Sequence, residues 1–150
     1  MSLKEKLNED MKQAMKDKEA GKLRLSVIRM VRATIKNVEI DRKKELSDDE
    51  VLDILAKEVK MRRDAMEEFT KGKRLDLVEQ LEQEIAILIL YLPQQLSEAE
   101  VRIMVTDAVA EAQATTPKDM GKVMAVLMPK VKGRADGKLV NGIVRELLSQ

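Results

Sequence analysis

The sequence predicts an all-α protein. Only six glycines and three prolines interrupt 150 residues, and 37% of side chains are charged, the balance of a helical rather than a sheet protein. Helix-start signals recur along the chain, and between them apolar residues repeat at helical spacing. Phe69 and Tyr91 are the only aromatics beside ten methionines, so the core must be aliphatic. The length suffices to bury one.

Seven helices are expected. Ser2 and Glu5 form a capping box: the serine oxygen accepts from a free backbone N–H while the glutamate reaches back. This opens a helix over 3–19, followed by a second over 22–43. Ser47 with Glu50 opens the third, 48–70, with Leu46 stapling onto Val51. The run Asp48, Asp49, Glu50 resembles a metal cluster. It lies in a first turn where the helix dipole favours acids, however, and adjacent helical residues point apart, so capping is the reading. The fourth helix covers 75–91. Ser97 with Glu100, and Leu96 onto Val101, start the fifth at 98–113. Thr116 before Pro117 caps the sixth, 117–128. Asp136 before Gly137 caps the seventh, 137–148. The connections "KGK" and "PQQLS" are short, as between packed helices.

Pro93 ends the fourth helix and suggests a seam. The expected organisation is a four-helix N-terminal part, 1–93, and a three-helix C-terminal bundle, 94–150. In the fourth helix Val78, Leu81, Ile85, Leu88, Ile89 and Leu92 form one stripe, while Ile87 and Leu90 project from the other side. An end apolar on both faces is expected to be sandwiched, with the C-terminal bundle docked there.

Chemistry is tightly bounded. Histidine and cysteine are both absent, which removes thiolate chemistry, the usual zinc ligands and the commonest general base. Glu79, Glu82 and Glu84 lie off the apolar stripe and are read as solvated. No serine sits in a glycine-rich elbow. Neither catalysis nor a metal or cofactor is expected. The start "MSLKEKLNED" lacks an apolar h-region, and the run Ile85–Leu92 is too short to span a membrane. A soluble cytoplasmic protein with no membrane partner follows, with a monomer favoured. Met120, Met124 and Met128 make a stripe shared with Val123 and Leu127. It is read as core, a partner-gripping methionine surface being the alternative.

Charge distribution is more telling than the net of +1. Residues 21–44 carry eight cations against two acids, 45–114 eight against seventeen, and 115–150 seven against three. Two basic blocks flank an acidic middle. On the second helix Val27, Val31, Thr34, Ile35 and Val38 form the apolar face, and Lys22, Arg29, Arg32, Lys36 and Lys43 lie opposite. Two readings stand: the cations pair with the acidic third helix, or they form a ridge that follows a phosphate backbone.

The stretch "KVKGRADGKLVNG", Lys130 to Gly142, poses the same choice. Its spacing is not that of a Walker loop, and Asp136 would occupy the helix N-terminus and repel an anion. Only side-chain charge from Lys130, Lys132, Arg134 and Lys138 remains for phosphate. Gly142 lies with Lys138, Asn141 and Arg145, away from the core side formed by Leu139, Val140, Ile143, Val144 and Leu147. A mid-helix glycine costs about 1 kcal/mol against alanine, so close approach of another backbone, protein or nucleic acid, is expected. Gly121, near Ala125, is read as helix–helix packing. With two aromatics, base stacking is a poor mode. Folded RNA gripped by phosphate and shape fits better.

The segments "RLSVIRMVRATIKNVEID" (24–41), "YLPQQLSEAEV" (91–101) and "DMGKVMAVLMPKVKGRADGKLVNGIVRELL" (119–148) resemble the GatB/YqeY family across essentially the whole chain. The resemblance implies a two-part all-α fold. It also implies kinship with the tail of the B subunit of the tRNA-dependent Glu/Asp amidotransferase, a tail that helps recognise the outer corner of tRNA. The part of that enzyme carrying the chemistry has no counterpart here, so any carbon–nitrogen ligase association is by family only. The leading expectation is a non-catalytic binder of tRNA or other structured RNA. Its candidate contacts are Lys22, Arg29, Arg32, Lys36, Lys130, Lys132, Arg134, Lys138, Gly142 and Arg145. The alternatives are a protein–protein adaptor in an amidotransferase or synthetase complex, or an accessory amidotransferase factor acting in trans.

Overall fold

The expected capping boxes open three of the helices. Ser2, Ser47 and Ser97 each accept from the backbone N–H of the glutamate three residues on, and that glutamate returns to the serine N–H. Asp136 caps the last helix, its Oδ1 accepting from the Lys138 N–H at 3.1 Å. The structure, a computed structural model, describes residues 1–149. Among them every regular element is helical: α1 (Leu3–Lys16), α2 (Lys22–Arg42), α3 (Asp48–Lys71), α4 (Leu75–Ile89), α5 (Glu98–Glu111), α6 (Met120–Val131) and α7 (Gly137–Leu148), with short 3-10 turns at Lys18–Gly21 and Pro117–Asp119. No helix of the described residues is long and apolar enough to cross a membrane.

Several ends differ from the periodicity. The first helix stops at Lys16, and Lys18 takes a positive φ of 52°. The chain then turns so tightly that Gly21 is buried against α1. A Cβ at Gly21 would lie 2.2 Å from the Ala14 carbonyl oxygen. Gly21 is thus required by close approach rather than by φ, which is −99°. At the sixth helix Thr116 precedes a single 3-10 turn, where the Asp119 carboxylate accepts from the N–H groups of Thr115 and Thr116. The helix then runs through Pro129 to Val131. A proline so near the end forfeits only one of the last intrahelical bonds.

Contacts divide the chain into two compact units, Met1–Leu92 and Pro93–Gln150. In the first, Leu7, the α2 face of Val27, Ile28, Val31 and Ile35, the α3 face of Val51, Leu55 and Val59, and Ile85 and Leu88 of α4 form one core. The fourth helix packs against both α3 and α2. Ile87, on the side expected to be sandwiched, lies against this core. Leu90 is 70% exposed. Tyr91 is buried and donates its hydroxyl to Asp10 Oδ2, with the Lys6 ammonium 5.2 Å from the ring centroid. Burial, then the Asp10 carboxylate, pushes the phenol pKa well up. In the second unit Val101, Val105 and Ala108 of α5 meet Val123, Leu127 and Val131 of α6 and Val140, Ile143, Val144 and Leu148 of α7. Met120 and Met124 pack on this core, as the methionine stripe predicts, while Met128 is largely exposed.

The reading of Glu84 as solvated is corrected. Glu84 is buried on α4, and its Oε1 accepts from Arg62 Nε at 3.1 Å. Arg62, itself buried on α3, also donates through Nη1 to Glu58 Oε2 at 2.7 Å and through Nη2 to the Met30 sulfur at 3.2 Å. Helical periodicity cannot reveal this, because the burying neighbour belongs to another helix.

Gly21→Ala should lower stability by about 1–3 kcal/mol, as forced overpacking does, whereas Gly142→Ala should raise it by up to about 1 kcal/mol, since an added Cβ there meets nothing within 4 Å. Urea denaturation followed by circular dichroism separates the signs. By the same measurement Arg62→Ala, which strands two carboxylates, should cost about 3–5 kcal/mol; a loss below about 1 kcal/mol would show the acids reach water.

Candidate functional site

The first helix crosses the cationic side of α2 and turns a ridge into a groove of about 400 Å³. Lys4 and Leu7 line it from α1, and Arg29, Arg32, Ala33, Ile35, Lys36 and Glu39 from α2. Residues 29, 32 and 36 share a face because they are spaced by one and two helical turns. Leu7 and Ile35 are buried and form the apolar floor. The sequence reading missed Lys4, whose approach to α2 depends on helix packing. Its only sequence signal is a cation in an early turn of α1.

Lys4 Nζ meets Glu39 Oε2 at 2.8 Å, and the same oxygen accepts from the Leu46 N–H at 2.8 Å. The hydrogen bond from Lys4, then that from Leu46, holds the Glu39 carboxyl below its ordinary range. In return, the hydrogen bond to Glu39 raises Lys4. Glu39 is thereby occupied. Arg32 donates to the Met11 sulfur at 2.8 Å. Neither Arg29, Arg32 nor Lys36 has an ion-pair partner among the described residues.

Pairing with α3 is seen at the far end of α2. Arg42 and Lys44 each reach Glu50 Oε2 at 3.1 Å. Lys22 is exposed at the first position of α2 and does not line the groove. Lys43 ends α2 with a φ of 55°.

The C-terminal candidates are deployed differently. Arg134 Nε donates to the Gln94 carbonyl at 3.1 Å, its own carbonyl accepts from the Leu96 N–H at 2.8 Å, and Gln95 Nε2 donates to the Gly133 carbonyl at 2.7 Å. Arg134 is therefore a brace between the 133–134 turn and the segment before α5, and replacing it would disturb structure. Lys130 faces Glu111 at 3.4 Å, both exposed. Lys132 and Lys138 are exposed and engaged within the chain. Arg145 and Gly142 are exposed on α7. Apart from its chain neighbours and its own helix backbone, nothing among the described residues lies within 4 Å of a Cβ built at Gly142 or at Gly121, so the packing role expected for Gly121 is corrected and no other backbone closes on Gly142. The structure thus brings Arg29, Arg32 and Lys36 to one groove and spreads the C-terminal cations along a turn and a helix. No group of three or more acidic, histidine or cysteine side chains among the described residues is placed to hold a metal.

An aliphatic all-α chain in two units, with a cationic groove on the first, defines a small helical protein. The sequence matches the family described as Yqey-like protein over residues 4–148, and the chain belongs to that family. Its curated relatives include proteins named Altered inheritance of mitochondria protein 41, mitochondrial. That of Kluyveromyces lactis is 37% identical over 140 residues, covering 91% of this chain and 70% of the relative. That of Lachancea thermotolerans is 40% identical over 114 residues, 74% of this chain and 60% of the relative. That of Pyrenophora tritici-repentis is 30% identical over 146 residues, 95% of this chain and 79% of the relative. The cytoplasmic placement expected from the N-terminal residues is overturned by these names, which are those of mitochondrial proteins. A missing h-region bears only on secretion, and mitochondrial addresses are amphipathic rather than apolar.

The acid limb of stability should carry the signature of Glu50. Its hydrogen bond with Lys44, then that from the Ser47 N–H, lowers its pKa from 4.5 to about 2. A depressed carboxylate stabilises the fold fully above its unfolded pKa and loses that contribution as pH falls through its folded one. Melting temperature should therefore decline between about pH 4.5 and 2, and Glu50→Gln should flatten that decline while lowering the neutral-pH value.

Proposed function

We propose that this chain is a non-catalytic helical module that binds structured RNA, tRNA foremost, through phosphate contacts. The observation supporting this is the α1–α2 groove, where Arg29, Arg32 and Lys36 line one wall without carboxylate partners among the described residues. Like charges one turn apart on a helix repel, and a polyanion relieves that repulsion while releasing its own counterions. Resemblance to the amidotransferase tail makes tRNA the first RNA to test and an amidotransferase or synthetase complex a fitting setting. The relatives' names favour a mitochondrial one. A second reading, a protein adaptor, draws on the C-terminal unit, where Gly142 faces open space and Ile103 and Met128 are exposed.

Salt-dependent binding separates the two. Affinity for tRNA should fall steeply with salt, and Arg29→Gln with Lys36→Gln should weaken it and flatten the slope of log K against log salt by about one to two units. Both side chains are exposed, so the fold should persist by circular dichroism. Unchanged affinity and slope in the double variant would remove the groove from RNA binding.

A further inference from the structure

The α1–α2 groove is small. Its volume of about 400 Å³ is that of a pocket for a small ligand. Its cations are also concentrated: positions 29 to 36 span only about 10 Å of helix axis, and the three cations along it share no carboxylate among the described residues. Long arginine and lysine side chains from these positions can converge on one dianion. A phosphate monoester carries close to two negative charges at pH 7, its second pKa lying near 6.

Of the α2 residues lining the groove, Glu39 is the furthest along the helix; there Lys4 and Glu39 bridge α1 and α2 at 2.8 Å, and the Glu39 carboxylate is fixed by a second bond from the Leu46 N–H. The pair carries no net charge, so it offers no uncompensated cation to a next phosphate. The floor of Leu7 and Ile35 is apolar and carries no aromatic ring, so it can cover a sugar or base without stacking on it or reading its sequence.

We infer that this groove receives the end of a nucleic-acid strand, its terminal phosphate monoester held by Arg29, Arg32 and Lys36 and its path closed by the Lys4–Glu39 bridge. The inference rests on the nucleic-acid reading above and narrows it to strand ends.

Fluorescence anisotropy with one short single-stranded RNA in three forms tests it: 5′-phosphorylated, 3′-phosphorylated, and hydroxyl at both ends. One terminal phosphate should improve affinity about tenfold or more at pH 7, the worth of an added charge-assisted contact; which of the two does so identifies the end. The advantage should shrink as pH falls through about 6, where the monoester loses its second charge. The groups facing the site are Lys4, Arg29, Arg32, Lys36 and Glu39, with Glu45 and Asp48 beyond Lys4, and the chain has no histidine or cysteine to mimic that titration. Arg29→Gln with Lys36→Gln should abolish the advantage. Glu39→Gln, which keeps an acceptor but removes the charge, should strengthen binding of the hydroxyl-ended strand and narrow the ratio. Equal affinity for all three forms would overturn the inference. If that common affinity still fell with the double substitution, phosphate binding by the groove would stand without end selection; if it did not, both readings would fall. A ratio unaltered by Glu39→Gln would overturn the closed end.

Discussion

Arg62 is the contact on which the N-terminal unit is organised. It lies buried on α3 between Glu58 of its own helix and Glu84 of α4, and touches the Met30 sulfur of α2. Glu84 is further satisfied by Gln80, and no buried side-chain polar atom among the described residues lacks a partner. Against an apolar replacement such a triad contributes little net stability. Separating its members, however, strands buried charge at a cost of several kcal/mol. A packing of α3 against α4 that separated the three would therefore strand buried charge.

With α2 so placed, the groove follows from how α1 returns along it. The Gly21–Ala14 approach sets the turn, the Tyr91–Asp10 hydrogen bond ties α1 to the end of the unit, and Glu39 joins Lys4 to the backbone that leads into α3. Solvated ion pairs contribute little each. What distinguishes this surface is the contrast along one helix. Arg42 at the far end is neutralised by Glu50, whereas Arg29 and Lys36 are left with uncompensated charge beside a concave apolar floor.

Much of the fold is legible in residues that act locally. A serine three before a glutamate starts a helix by hydrogen bonds that need no distant partner, and the inward positions of α2 and α7 follow from spacing alone. Residues whose environment belongs to another element are not legible in this way. Glu84 reads as solvated because Arg62 is 22 residues away in sequence. Arg134 reads as a free cation although it braces a carbonyl 40 residues earlier. Gly121 and Gly142 both break the helical preference for larger residues, and nothing within one helix tells open space from a tight contact.

The all-α class, the helix starts, the aliphatic inner faces, the two basic blocks and the family resemblance are legible along the chain, because each depends on local bonding, on periodicity or on composition. Which charges are spent and which remain depends on how the helices pack. Glu39 goes to Lys4, Glu50 to Arg42 and Lys44, and Glu84 to Arg62, leaving Arg29 and Lys36 beside a groove that only the packing of α1 against α2 creates. Pairing of charges depends on distances of a few ångströms between elements far apart in the chain, and no pattern along a single helix encodes those distances.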